Sequence, residues 1–195
     1  MIFGIDARTA LLKRKGGFGI YTRNLIKSMA INFPEHLFNL FYNNKFEESI
    51  GDFKNVNYQS LYFPLNAFWT KIRLPLEFLN YKPDVFLFPC QTMTRYSSSK
   101  KIVTIHDLRF KAIQHHNKAE YIRLDHQVKN SIKYSDRIIC VSKQTKSDLI
   151  KFYNADYSKI KVIYHGADHI PEIKKNSSIV KFDKIRKKYK IPKNF

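Results

Sequence analysis

Short apolar runs recur along the chain and alternate with segments whose apolar residues recur every three or four positions. The apolar runs predict strands over residues 2–6, 37–42, 84–89, 101–107, 137–141 and 161–164, and alternation of apolar and polar residues predicts another over 56–62. The spacing between them predicts helices over residues 21–29, 63–79, 118–134 and 143–153. Because the strands are apolar throughout and alternate with helices, we expect an α/β fold, a mainly parallel sheet with helices on both faces.

A turn rich in glycine lies between the first predicted strand and the first predicted helix. Gly16, Gly17 and Gly19 surround Phe18 and let the backbone approach another group closely. The N-terminus of the following helix is a natural seat for a phosphate. The spacing matches neither G-x-G-x-x-G nor G-x-x-x-x-G-K-[ST], which argues against a dinucleotide fingerprint or a P-loop. The turn is therefore a candidate phosphate-binding loop, with a merely flexible turn as the alternative.

Small or polar residues also follow four other predicted strands. They are Pro89 to Gln91 after Phe88, His106 and Asp107 after Ile105, Ser142 after Val141, and His165 and Gly166 after Tyr164. Ligands gather at the carboxyl ends of parallel strands, so we expect these residues to share one edge of the sheet. Three of these residues have a structural alternative: a satisfied strand-end histidine for His106, a loop residue for Asp107 and a helix N-cap for Ser142.

Two other groups of charged or metal-binding residue types have structural interpretations. His115 and His116 are adjacent in a predicted loop, where a solvated pair is favoured over a metal site. Asp6 and Arg8 lie two residues apart, which favours a structural ion pair.

The amino-acid composition indicates which class of partner to expect. The chain has 195 residues, enough for one core, and its formal net charge of +19 favours phosphate-rich partners such as nucleic acid or an anionic membrane. General adjustment of solubility is the alternative explanation of that charge. The segment 62–79 mixes aromatic residues with Lys71 and Arg73, so it is either a core helix or an interfacial amphipathic segment.

Cysteine usage and the N-terminus predict the compartment. Cys90 and Cys140 are the only cysteines, and both lie in apolar runs, which is typical of buried free thiols in a reducing environment. We see neither a secretory leader nor an apolar stretch of bilayer-spanning length. These features predict a cytoplasmic protein, with peripheral attachment to the inner face of the cell membrane as a further expectation.

Five motifs occur together in a recognisable order. They are residues 4–8, residues 16–21 with Asn24 and Leu25, residues 103–108, residues 141–142 with 146–149, and residues 162–168. With this order and spacing, residues 2–170 resemble the N-terminal domain of a retaining glycosyltransferase of family 4. Such enzymes have the GT-B fold, in which two Rossmann-like domains face a cleft.

The resemblance implies a division of the chain and an incomplete donor site. Residues 1–170 are expected to form the acceptor-side Rossmann-like domain. Residues 171–195 are expected to be a basic linker to a missing C-terminal domain, supplied in cis or in trans. In the family, that second domain holds a pair of glutamates in an E-x7-E arrangement and most of the nucleotide-sugar site. We therefore expect a fragment or half of a split enzyme that is nearly inactive alone.

The resemblance also implies roles for individual residues. His106 reaches the donor sugar near the reaction centre, and Asp107 orients the loop or the imidazole. Donor binding falls to the glycine turn (Gly16, Gly17, Phe18 and Gly19) and to Ser142, and acceptor binding to Phe88, Gln91 and His165. No metal and no cofactor are implied beyond the donor, a UDP- or GDP-sugar. In this family, the leaving phosphate is thought to act as the base for the acceptor.

The predicted function is transfer of a sugar, with retention, to a glycan or lipid-linked acceptor in cell-surface polysaccharide synthesis. Two alternatives remain open. One is a basic nucleic-acid-binding module, which is disfavoured because no RRM, KH or zinc pattern occurs in the sequence. The other is a noncatalytic subunit that anchors a separate donor-binding chain.

Overall fold

A computed structural model describes residues 1–13, 16–43, 48–65, 68–112, 117–167, 186–190 and 192. The chain divides into two units, Met1–His165 and Gly166–Phe195. The described part of the second unit includes a short helix over residues 186–189. Most of the predicted linker lies outside the described residues, and so does Asp168 of the last motif.

The first unit is built on a seven-stranded, wholly parallel sheet. The strands are β1 Ile2–Asp6, β2 Leu37–Tyr42, β3 Val56–Ser60, β4 Val85–Phe88, β5 Lys100–Ile105, β6 Arg137–Cys140 and β7 Ile160–Val162. Their order across the sheet is β3-β2-β1-β4-β5-β6-β7. All seven predicted strands are present. The direction of winding reverses between β1 and β4, where doubly wound sheets place their ligands.

Five α-helices connect the strands in the described residues. They are α1 Gly17–Asn32, α2 Leu74–Asn80, α3 Arg109–Ala112, α4 Lys118–Tyr134 and α5 Lys143–Tyr153. Helices α4 and α5 match the prediction because both carry clear caps. The side chains of Asn117 and Ser142 accept hydrogen bonds from the N–H groups of Glu120 and Thr145, respectively. A left-handed Asn154 ends α5, with its N–H donating to the carbonyl of Ile150.

Two predicted helices differ from the structure at their starts. Helix α1 begins at Gly17, so Gly17 and Gly19 belong to its first turn and only Gly16 lies before it. The predicted helix over 63–79 begins later, as a π-helical turn Trp69–Arg73 that continues into α2. The spacing of apolar residues predicts which side chains are buried. It does not predict where a helix starts after glycine, because glycine can adopt many backbone conformations.

Side chains alternate between two apolar cores, one on each face of the sheet. Phe86 and Phe88 of β4 belong to the core that also contains residues of α2, α4 and α5, whereas Leu87 belongs to the core on the side of α1. Successive strand residues point to opposite faces, so a strand buried on both faces is apolar throughout. The predicted sheet with helices on both faces is confirmed.

The segment predicted as either core or interfacial has buried and exposed apolar residues. Trp69, Leu74 and Phe78 are buried in the core, whereas Phe68, Ile72, Leu76 and Leu79 are exposed. The exposed residues recur at intervals of three or four and so share one face. Leu79 is 71% exposed, and Tyr62 before the segment is 73% exposed.

Candidate active site at the carboxyl edge of the sheet

His106 follows β5 and is the buried imidazole of the carboxyl edge. Its Nε2 lies 2.8 Å from the carbonyl oxygen of Pro89, the residue that follows β4. Because a carbonyl can only accept, Nε2 carries the proton, and the neutral ring then has an unprotonated Nδ1. Burial lowers the pKa of His106 below its ordinary value, the hydrogen bond to Pro89 offsets part of this, and the neighbouring His165 lowers the pKa further. The imidazole is therefore neutral at pH 7.

Three aromatic rings from other elements surround His106. The ring of Phe18, in the glycine turn, lies 4.6 Å from the imidazole centroid, and that of Tyr21 lies 5.0 Å away at a right angle. His165, which follows β7, stacks on Tyr21 at 4.8 Å and lies 5.4 Å from His106. The structure thus brings the glycine turn, His106 and His165 together at one place.

The glycine turn presents its backbone openly beside this cluster. A methyl group added at Gly16 or Gly17 meets no atom within 4 Å, so packing inside the chain does not require glycine there. The N–H groups of the first turn of α1 have no intrahelical partners, and Gly16 has no side chain to cap them. Such a helix start can accept a phosphate, and small residues let that phosphate approach.

Ser142 acts on the cluster indirectly. Its Oγ accepts from the N–H of Thr145 at 3.0 Å and lies 2.9 Å from the Thr145 hydroxyl, which in turn donates to the carbonyl of His106 at 3.0 Å. The Ser142 side chain is therefore engaged as a cap, in agreement with its structural alternative. Through Thr145 it fixes the backbone that carries His106.

Asp107 holds its own loop and not the imidazole. Its Oδ1 accepts from the N–H of Arg109 at 3.1 Å, and its Oδ2 lies 3.3 Å from Nε of the same residue. These contacts tie Asp107 to the start of α3. Of the two alternatives in the sequence analysis, the structure supports loop orientation.

The predicted acceptor residues occupy different environments. Phe88 is fully buried against Phe86, with ring centroids 4.7 Å apart, so its side chain is not available to an acceptor and that prediction is wrong. When a strand is apolar throughout, its sequence does not show whether the side chain at its end packs in the core or is accessible to a ligand. Gln91 is half-buried, and its carbonyl accepts from the hydroxyl of Ser131 at 2.8 Å. His165 is exposed beside the cluster.

The predicted ion pair between Asp6 and Arg8 is present and bidentate. The guanidinium donates to the two carboxylate oxygens at 2.9 and 2.7 Å and lies over the ring of Trp69.

Both cysteines are free thiols. Cys140 is buried and Cys90 half-buried, and burial raises the pKa of each to about 12. Neither is a reactive thiolate at pH 7.

Two cavities are lined by residues that follow β1 and β4 at the carboxyl edge. The smaller, about 290 Å³, is lined by Pro89 and its neighbours Cys90 and Thr92, and by Asp6 and Arg8. The larger cavity has a volume of about 700 Å³ and is lined by residues from four segments of the chain. These are Arg8 after β1, Thr70 and Lys71 of the π-helical turn, Thr92 to Tyr96 of the loop after β4, and Arg123, His126, Gln127, Asn130 and Tyr134 of α4. Pro89, which bonds His106, thus also borders the smaller cavity.

In the described part of the chain, no three His, Cys, Asp or Glu side chains come together as a metal site. His115 and His116 lie outside the described residues. Among the residues that are described, no helix has the length and apolar character needed to cross a bilayer.

Sequence reasoning assigned neither Tyr21 nor Thr145 to the site, and it named Pro89 only as a strand-end residue. Tyr21 follows Phe18 by three positions and so shares its helix face, which is a signal that the sequence does carry. Pro89 acts through its carbonyl and Thr145 through a hydroxyl from another helix, and neither contact has a local sequence signature. The cations of the larger cavity come from four separate segments and were missed for the same reason.

Comparison with known proteins identifies the family. The sequence profile of Glycosyltransferase Family 4 matches residues 15–169. A solved structure, that of the lipopolysaccharide outer core galactosyltransferase WaaB in its apo form, matches with a TM-score of 0.54 at 14% identity. That match covers 85% of this chain and 45% of the other, so this chain spans less than half of the galactosyltransferase's length. A search of curated proteins returned no match.

At that level of identity the structural likeness concerns the fold, and it confirms the Rossmann-like half of a GT-B architecture. The profile match spans the glycine turn, His106, Ser142 and His165, the residues from which the resemblance was inferred. It covers most of the chain. The chain therefore belongs to Glycosyltransferase Family 4.

Proposed function

We propose that this chain is the acceptor-side half of a glycosyltransferase that moves a sugar from a UDP- or GDP-sugar to a glycan or lipid-linked acceptor. The observation that carries the proposal is the cluster of Phe18, Tyr21, His106 and His165 beside the open start of α1. It lies at the carboxyl edge, where such sheets bind ligands.

The chemistry of the cluster suits a nucleotide-sugar donor. Departure of the diphosphate leaves negative charge on its oxygens, and free N–H groups of Gly17 to Gly19 can stabilise that charge. A neutral His106 can accept a hydrogen bond from a sugar hydroxyl through Nδ1. We propose that the anomeric configuration is retained and that the leaving phosphate serves as base, so no carboxylate of this chain takes that role.

A second domain, in the same polypeptide or in a separate one, completes the donor site in this proposal. The chain alone is then nearly inactive. The name of the matched galactosyltransferase connects that protein with lipopolysaccharide, and we propose cell-surface polysaccharide synthesis as the setting for this chain. The protein then works on the cytoplasmic side of the membrane.

Peripheral attachment to that membrane is supported by the exposed face of Phe68, Ile72, Leu76 and Leu79. The cations Lys71 and Arg73 interleave with these residues, as in interfacial segments that bind anionic lipid. Flotation with phosphatidylglycerol vesicles and with phosphatidylcholine vesicles tests this. We expect preferential binding to the anionic vesicles and loss of binding in Leu76→Ser/Leu79→Ser, and equal binding to both lipids would contradict the attachment.

A transfer assay tests the function itself. The chain is assayed alone and joined to the donor-binding domain of a family 4 enzyme, with labelled UDP- and GDP-sugars and a membrane extract as the source of acceptors. We expect label in glycan only with the joined protein, and its loss in His106→Ala but not in Lys82→Gln, which changes an exposed residue before β4. No label from either donor class would overturn the proposal.

A further inference from the structure

The larger cavity, called the basic cavity below, is lined by four cations and by no acidic residue. The cations are Arg8, Lys71, Arg95 and Arg123, among the wall residues named above. Its other walls carry hydroxyls, amides and the rings of Tyr96 and Tyr134, groups that bind sugar hydroxyls and stack on sugar faces. A cavity with this mixture fits a sugar that bears a negative group.

The cations are not equally available to a ligand. Arg8 is committed to the carboxylate of Asp6, and Arg123 lies 3.6 Å from Glu120 at the surface. Within the described part of the chain, neither Lys71 nor Arg95 has a carboxylate partner. Two cations on neighbouring helical segments do have one: Arg73 pairs with Glu77, and Lys129 with Asp125. Lys71 and Arg95 therefore bring uncompensated positive charge to the wall of the basic cavity.

Arg95 is also held in position. Its guanidinium lies 5.0 Å from the ring centroid of Tyr96 and 5.8 Å from that of Tyr134, and it donates to the Tyr134 hydroxyl at 3.4 Å. Such contacts orient a planar donor before a ligand arrives, which lowers the entropy lost on binding. A guanidinium presented in this way matches the geometry of a phosphate.

The basic cavity continues toward the candidate active site. Arg8 and Thr92 line both it and the smaller cavity, and the smaller cavity is bordered by Pro89, whose carbonyl accepts from His106. An acceptor held in the basic cavity thus lies on the same edge of the sheet as the imidazole.

We propose that the acceptor of this glycosyltransferase carries a phosphate group and that Lys71 and Arg95 bind it. This proposal rests on the proposed function, because it names the class of acceptor that the glycosyltransferase uses. The phosphate belongs either to a water-soluble or glycan-borne sugar phosphate or to the headgroup of a lipid carrier. The shared chemistry is a phosphorylated sugar acceptor, and the two sources are separated by experiment.

Trp69 provides a direct readout. It is the only tryptophan of the chain, it precedes Thr70 and Lys71, and the guanidinium of Arg8 lies 5.4 Å from its ring centroid. Occupation of the basic cavity is therefore expected to change its fluorescence. The full chain is titrated with glucose 1-phosphate, with glucose, and with phosphatidylcholine vesicles that contain or lack a polyprenyl phosphate.

The variant Lys71→Gln/Arg95→Gln removes the two uncompensated cations. Its control is Lys54→Gln/Lys82→Gln, which removes the same charge from two exposed residues outside the cavity wall. Thermal unfolding establishes that both variants are folded. We expect the cavity variant to weaken binding of the phosphorylated probe by about tenfold or more, because each charged hydrogen bond is worth a sizeable share of such an affinity. The control is expected to stay within about twofold of the parent.

Binding of glucose 1-phosphate that depends on Lys71 and Arg95 supports the proposal with a soluble or glycan-borne phosphate. Dependence seen only with polyprenyl phosphate vesicles supports it with a lipid carrier. Equal losses in the cavity variant and the control overturn it. So does the absence of any preference for a phosphorylated probe, either glucose 1-phosphate over glucose or vesicles with polyprenyl phosphate over vesicles without it. The titration needs neither donor nor transfer, so its failure is separate from failure of the transfer assay.

Discussion

The Nε2 atom of His106 lies 2.8 Å from the carbonyl oxygen of Pro89 and joins the ends of β5 and β4 through a side chain. These strands are neighbours in the sheet, next to the point where the winding reverses. The hydrogen bond determines the tautomer of the imidazole. It also connects the residue nearest to the glycine turn with the strand end that borders the smaller cavity.

The tautomer and the pKa of His106 can be measured directly. Nitrogen NMR of the folded chain is expected to show a protonated Nε2 and an unprotonated Nδ1. The pKa is expected below 6.5, because burial and His165 both disfavour the charged ring. His106 then stabilises the fold fully above pH 6.5, and that contribution is lost as the pH falls toward its folded pKa. A pKa at or above 6.5 contradicts this description.

The Ser142–Thr145–His106 relay predicts a difference between two helix caps. Ser142→Ala and Asn117→Ala each remove an N-cap, and each is expected to cost about 1 kcal/mol of unfolding free energy, measured by urea unfolding. Only Ser142→Ala is expected to shift the ring resonances of His106, because Thr145 donates to its carbonyl. Equal perturbation by both variants would show that the relay does not position His106.

Gly4 in β1 has a packing role that an alanine would disrupt. A methyl group there lies 2.4 Å from the ring of Phe86, and overpacking of this kind costs about 1–3 kcal/mol. Gly4→Ala is expected to lower the unfolding free energy by that amount, measured by urea unfolding. Gly16→Ala is the control, since the same methyl group meets open space. Partial recovery in Gly4→Ala/Phe86→Leu identifies the ring as the cause, and absence of recovery argues against it.

The lowered pKa of Asp125 in α4 leads us to expect a smaller free energy of unfolding in acid. Burial raises its pKa, but hydrogen bonds from Lys111, Lys129 and Tyr153 outweigh this and hold it at about 2. A carboxylate with a lowered pKa stabilises the fold above its unfolded value and loses that contribution as the pH falls through the folded value.

Asp125→Asn is therefore expected to be less stable than the parent at pH 7, with the difference in unfolding free energy shrinking between pH 4 and pH 2. Asp148→Asn, which changes a surface carboxylate bonded to Gln144, is the control and is expected to show little change. A difference for Asp125→Asn that stays constant with pH would contradict the ionised contact.

Much of the fold could be predicted because the signal is local. Most of the strands are apolar runs between polar segments, and β3 alternates apolar and polar residues. Helices α4 and α5 have a polar cap followed by apolar residues at helical spacing. The start of α1 was placed too late, since glycine is a poor indicator of where a helix begins. The segment around Trp69 and Leu79 buries some apolar residues and exposes others, so its core alternative is confirmed, whereas its interfacial alternative stays a prediction.

The candidate site could be predicted only as a set of strand ends. Parallel strands bring their carboxyl ends to one edge, so His106, Ser142 and His165 were expected together. Which side chains face a ligand depends on contacts between distant segments. The hydrogen bond of His106 to Pro89 spans 17 residues and that from Thr145 spans 39, and no local pattern specifies either. The inward position of Phe88 was missed for the same reason.

The central claim is that the glycine turn and His106 form one site for a nucleotide-sugar diphosphate. Amide NMR of the isotope-labelled chain, titrated with UDP and with GDP, tests it most directly because it needs neither a second domain nor an acceptor. We predict that one of the nucleotides shifts the resonances of Gly17, Phe18, Gly19, His106 and His165 together, with weak affinity. Shifts confined to other regions of the chain, or no shift with either nucleotide, would contradict the claim.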